Sequence, residues 1–251
     1  MPSKDEILLD RGTIVRVLTA TSCFLLIASI AGQVLKYGFG HKSAYGLTPL
    51  FYVDKEGNIP TFFSGILLLL ASLLLAFITV LKRASQDAYS RHWAILSLIL
   101  LYMAVDETCH LHEMLHKPGK WVLGPHAHAI FTYAWIIFGI GMVAAVALSY
   151  FKFFLRLPPQ AQRQFFTATA VFLSGAIGME LVESYYHGLY GDQTFLYSMF
   201  ATVEEGLEMA GVIIFINALM THLITYYNAN ISFGDSRKKS AFPDKPRDQA
   251  A

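Results

Sequence analysis

The chain has 251 residues, 55% of them hydrophobic and only 15% charged, with a formal net charge of +1. A soluble domain carries about a quarter charged residues, so this composition excludes an ordinary soluble globular fold. The near-neutral charge removes any electrostatic basis for binding nucleic acid.

The first ten residues are mixed in charge, and the apolar run that follows, 13–35, is too long for the core of a cleaved signal peptide. It reads as a retained first span. Five further segments, 60–81, 92–116, 127–150, 164–187 and 198–225, also reach the about 20 apolar residues that a membrane helix needs. The loops between them carry breakers: Gly38, Gly40, Gly46, Pro49, Gly57 and Pro60 in the first, Pro118, Gly119, Gly124 and Pro125 in the third, Pro158 and Pro159 in the fourth. The first loop is the longest, and its Phe51 and Tyr52 are expected to pack as a lid over one face. Asp54, Lys55 and Glu56, beside Gly57 and Asn58, read as a turn. The expectation is an all-α polytopic integral membrane protein: a six-helix transmembrane bundle over 1–231, then a disordered polar tail over 232–251. No internal repeat of the inverted-transporter kind is evident. Cys23 and Cys109 lie in different apolar segments and are expected to be unpaired, buried small side chains.

Lysine and arginine set an orientation. Fourteen of the 19 fall in the N-terminal end, the second and fourth loops and the tail, which assigns that side, and both termini, to the cytoplasm. The fifth loop, 188–197, has none.

Against this apolar background stand acids and histidines, which are costly at membrane depth and mark sites there. Asp106, Glu107, His110 and Glu113 fall in the third segment, Glu180, Glu183 and His187 in the fifth, and Glu204, Glu205 and Glu208 in the sixth. His126 and His128 open the fourth segment. At 1.5 Å per residue, Glu107 lies about 13 Å, Glu180 about 10 Å and Glu204 to Glu208 about 9–15 Å below the outer boundary. Groups distant in sequence therefore share one layer, the extracytoplasmic half. At 100° per residue Asp106, His110 and Glu113 share a face, as do Glu180, Glu183 and His187. His112 falls off that face. His116 and His41 read as wetted interfacial groups, and His92 and His222 lie at the far boundary, away from the cluster.

Eight acids in one layer, with no lysine or arginine at that depth, cannot all stay ionised. Either several hold protons, or metal ions supply the missing charge. Imidazole with carboxylate suits iron, manganese and zinc, and such sets leave positions open for substrate or dioxygen. Glu107-x-x-His110 and Glu113-x-x-His116 resemble the Glu-x-x-His pairs of soluble di-iron bundles, although here both lie on one helix. The expected ligand pool is Asp106, Glu107, His110, Glu113, His126, His128, Glu180, Glu183, His187, Glu204, Glu205 and Glu208, with Glu107 and Glu204 as proton-transfer groups. The cofactor expected is a divalent metal, mono- or dinuclear, iron ahead of zinc or manganese. The partners expected are the lipid bilayer and a lipid or quinone-like substrate of a metal-dependent, di-iron-like oxidoreductase. The same residues also fit a divalent-cation or proton-coupled transporter, a zinc-dependent lipid hydrolase, or a non-catalytic structural or pH-sensing protein. Against transport, the acids occupy one half of the membrane, and apolar runs such as 67–70 and 96–101 seal the other.

Overall fold

The computed structural model describes residues 7–8, 10–55, 57–124, 126–227 and 232–233. Six helices in it are long and apolar enough to cross a membrane. These are α1 (Arg11–Gly38), α3 (Ile59–Ala84), α4 (Ser90–Cys109), α6 (Ile136–Leu155), the continuous run from Pro159 to Tyr190, and α9 (Phe195–Tyr227). The fifth of these comprises α7 (Pro159–Leu173), a π-helical turn (Ser174–Met179) and α8 (Glu180–Tyr190). Two short helices lie outside the spans, α2 (Leu47–Phe51) and α5 (His116–Leu123). Ile7–Leu8 (β1) pairs antiparallel with Ser232–Phe233 (β2), the one β ladder among the described residues. Apart from Ser232–Phe233, the tail expected over 232–251 lies outside the described residues.

Local chemistry sets the helix ends. Asp10 caps α1 by accepting from Thr13 N at 3.1 Å. Asn58 caps α3 by accepting from Thr61 N at 3.2 Å, with Pro60 in the first turn. Asn58 also donates to the Tyr52 carbonyl at 2.6 Å, which fastens the first loop to α3.

Two boundaries differ from the sequence expectation. The third span stops at Cys109 rather than near His116, because His110 adopts the left-handed region (φ 54°) and closes the helix onto the Asp106 carbonyl. The fourth span begins at Ile136 rather than near 127. The intervening chain makes a 3₁₀ turn (Leu111–Leu115), α5 and a second 3₁₀ turn (Ala129–Phe131).

Helix α9 is central and packs against α1, α3, α7 and α8. The core lies between α3, α4 and α9, where Leu67, Leu75, Trp93, Ile216 and Leu219 are fully buried. Ser72 and Ser97 exchange hydroxyl-to-carbonyl bonds of 2.8 and 2.9 Å across α3 and α4, a way of holding apolar helices together without a hydrophobic driving force. The outer faces are apolar: Leu148 is 80% exposed, Phe166 66% and Ile27 65%. Exposed apolar surface on this scale is what a bilayer would cover. Cys23 and Cys109 are unpaired, as expected, but exposed rather than buried.

Candidate functional site

The π-helical turn sets the geometry. A π turn inserts one extra residue, which resets the face presented by the helix that follows. It also holds Gly175, where a Cβ would sit 2.8 Å from the Glu204 carbonyl oxygen and 2.9 Å from Glu208 Cγ. Glycine is needed there for backbone and α9 to meet, and a similar approach occurs at Gly211, whose Cβ would fall 2.6 Å from Phe172 N. Both contacts press the α7–α8 run onto α9 and deliver Glu180 and Glu183 to Glu204.

Glu204 lies within hydrogen-bonding reach of both Glu180 and Glu183. Trp135 Nε1 donates to Glu180 Oε1 at 3.1 Å. Glu183 is 2% exposed; the Tyr197 hydroxyl lies within reach of its carboxylate, but its Oε1 has no hydrogen-bond partner. Carboxylates at such separation need a proton or a cation between them. Glu205, next in the chain, and Glu208, one turn further along α9, lie near Glu107 of α4, and Glu208 also senses Glu180, Glu183 and Asp106. Glu204, Glu205 and Glu208 are half-buried, with protein packed around them. Acids from three helices are thus brought to one end of the bundle. No lysine or arginine occurs in α8 or α9, and the single one in α4 is Arg91, at its opposite end.

The histidines divide. His110 flanks Asp106 and Glu113 at the end of α4. His187 is bound through Nδ1 to the Tyr133 hydroxyl at 2.7 Å. His126 and His128 precede α6, both exposed; the His128 ring stacks on Tyr185 at 5.9 Å. Glu113 is likewise exposed, in the 3₁₀ turn after α4. The structure therefore gathers Glu107, Glu180, Glu183, Glu204, Glu205 and Glu208, and leaves Glu113, His126 and His128 at the rim. Among the described residues no three His, Cys, Asp or Glu side chains form a ready-made metal-binding group.

His112, placed off the face by helical periodicity, is instead a full participant. Asp106 Oδ1 accepts from its backbone N at 2.7 Å, and Oδ2 contacts its Nδ1 at 3.0 Å. Its ring also packs on Trp135 at 4.7 Å. Burial pulls the imidazole pKa down, but the paired Asp106 carboxylate outweighs it and holds His112 above its ordinary value. The periodicity argument failed because the helix stops at Cys109, three residues earlier.

A chain of hydroxyls that sequence reasoning missed adjoins the acids. Tyr133 OH meets Tyr197 OH at 2.8 Å, and Tyr197 OH donates to Asp54 Oδ1 at 3.5 Å. Tyr52 OH meets Ser198 Oγ at 3.2 Å, and Val53 N donates to Ser29 Oγ at 3.3 Å, so the first loop does close over this end of the bundle. Asp54 is thereby part of the site rather than of a simple turn. Surrounding protein pushes its carboxyl above the ordinary range, against the opposing hydrogen bonds from Tyr52 and Tyr197. Burial likewise raises the Tyr133 phenol. Ser184 has a purely architectural role: it accepts from Tyr133 N at 2.9 Å and donates to the Ile130 carbonyl at 2.8 Å.

A family model described as a domain of unknown function (DUF8692) matches residues 17–223, and the chain belongs to that family. No curated protein and no solved structure matches it.

Proposed function

We propose that this DUF8692 member is a multi-pass membrane protein with both termini on the cytoplasmic side, and that it binds a divalent metal in the extracytoplasmic half of the bilayer. The metal then serves an oxidation or reduction of a lipophilic substrate, lipid or quinone-like, entering from the surrounding bilayer. The observation that carries this reading is the position of Glu204, within hydrogen-bonding reach of Glu180 and Glu183, beside a buried Glu183 oxygen that no donor satisfies. A divalent ion answers both needs at once: it neutralises adjacent carboxylates and occupies the orphaned oxygen. Carboxylates in excess of histidines favour iron or manganese over zinc. Glu107, Glu205 and Glu208 supply further oxygen donors for a second ion or orient the first set. The ligands are not pre-gathered around a point, so the ion itself would draw Glu180, Glu183 and Glu204 together. Glu204 and Glu107 are the groups assigned to proton transfer.

A second reading rests on the hydroxyl chain. Asp54, Tyr197, Tyr133 and His187 form a continuous hydrogen-bonded path beside the acids, which suits a proton-storing or pH-responsive network without metal. Elemental analysis of protein purified without chelator separates the two. The metal reading expects stoichiometric iron, manganese or zinc in wild type, lost in Glu204→Ala. Metal-free protein that remains metal-free after reconstitution with each ion would refute it and leave the proton network.

A further inference from the structure

We infer that the end of the bundle opposite the acids holds a binding site for a phosphate group carried on a lipid. This site is independent of the metal reading. A pocket of about 370 Å³ opens where α3, α4, α6 and α9 end together, within the roughly 300–1,000 Å³ of small-ligand sites. Its walls are aromatic, with Tyr89, Trp93 and Phe153 prominent.

The polar groups of this pocket are unbalanced. Its one acid, Asp87, is fully engaged: Oδ2 accepts from Lys82 Nζ at 2.8 Å and Oδ1 from Tyr89 N at 2.8 Å. What remains includes unused donors. His222 is 5% exposed and lines the pocket, yet neither ring nitrogen has a partner. Leaving both unsatisfied is costly, and most buried polar groups avoid it. Arg156 lies over the Tyr89 ring at 5.4 Å and has no carboxylate partner among the described residues. The Arg156 fork and the His222 ring N–H line one pocket whose single acid is already engaged, and an anion with several oxygens, which phosphate provides, would answer both.

The lipid carrier follows from the surroundings. The pocket sits at the tips of helices with bilayer-type exteriors, and Phe151 and Leu155 nearby are 60% and 56% exposed. An acyl chain attached to the phosphate has apolar surface to lie along. Basic pockets between membrane helices bind anionic headgroups in this way.

The test is native mass spectrometry of the full chain in detergent, with added phosphatidic acid, diacylglycerol or inorganic phosphate. Wild type is expected to retain phosphatidic acid and not diacylglycerol. Arg156→Gln, at an exposed position, and His222→Phe, which keeps an aromatic ring and removes the two unsatisfied nitrogens, are expected to weaken retention about tenfold or more, the worth of one charge-assisted hydrogen bond. Lys152→Gln, an exposed charge outside the pocket, is expected to leave it unchanged. Equal retention of phosphatidic acid by wild type and both pocket variants, or equal retention of diacylglycerol, would overturn the site. Displacement of phosphatidic acid by equimolar inorganic phosphate would overturn the lipid carrier.

Discussion

Replacing Gly175 by alanine tests whether the close approach of the π-helical turn to α9 builds the acid cluster. The new Cβ would stand 2.8 Å from the Glu204 carbonyl oxygen and 2.9 Å from Glu208 Cγ. Both are well inside carbon–oxygen and carbon–carbon contact distance. The first obstacle is backbone, so no side-chain rotation relieves it, and the turn and α9 must part by several tenths of an ångström. Overpacking of this kind costs about 1–3 kcal/mol. Gly141 is the internal control: it lies in α6 with nothing within 4 Å of its Cβ position, so Gly141→Ala should be neutral or stabilising by about 0.5–1 kcal/mol. The assay is reversible unfolding of each variant in mixed micelles. The expected gap between the two is therefore about 1–4 kcal/mol, from the same overpacking and helix-propensity terms. Equal stability of Gly175→Ala and Gly141→Ala would refute the argument that the glycine admits α9.

Two further outcomes follow from groups at the rim of the cluster. His112 titrates above its ordinary value of 6.5 when folded, so its pairing with Asp106 contributes stability fully present below pH 6.5 and lost as pH rises through the folded value; wild type should lose stability across that window relative to His112→Gln, measured by thermal unfolding at a series of pH values, and parallel curves would count against the pair. Tyr133→Phe deletes the hydroxyl shared by His187 Nδ1 and Tyr197 OH at 2.7 and 2.8 Å, leaving two polar groups short of a partner at a cost of about 1–3 kcal/mol; an unfolding free energy equal to wild type would mean that the hydroxyl chain holds nothing together.

The six long helices were legible because composition and length decide them: a run such as Ile59–Ala84 has nothing in it but apolar residues, small hydroxyls and a terminal basic pair. The meeting of Glu180, Glu183 and Glu204 was legible through depth, since uninterrupted helices carry position linearly from their ends. What escaped was where a helix stops for reasons of backbone conformation. His110 in the left-handed region ends α4, and a non-glycine residue there carries no sequence signal. Facing beyond Cys109 then held only in part: His110 stays beside Asp106, but His112 turned inward onto Asp106 while Glu113 is exposed. His126 and His128 were assigned to a span that starts only at Ile136. Tyr133, Tyr197 and Asp54 escaped differently, because tyrosines near helix ends look like interface anchors and Asp54 sits among turn residues. Nor does spacing distinguish Gly175, where a Cβ would collide with α9, from Gly141, where a Cβ would meet nothing within 4 Å. His222 was set aside for its distance from the acids, although what makes it informative is the lack of partners on both nitrogens, a property only the fold reveals.

Calorimetric titration of chelator-treated protein with Mn²⁺ or Fe²⁺, run in two buffers of different ionisation enthalpy, bears most directly on the carboxylate cluster. Saturable binding with proton release is the expected result, because metal-ligating carboxylates must be deprotonated, so a cation entering among Glu180, Glu183 and Glu204 displaces any proton held there, and Glu204→Gln should abolish both. Wild-type protein that takes up neither ion, with the same heat in both buffers as buffer alone, would contradict the account.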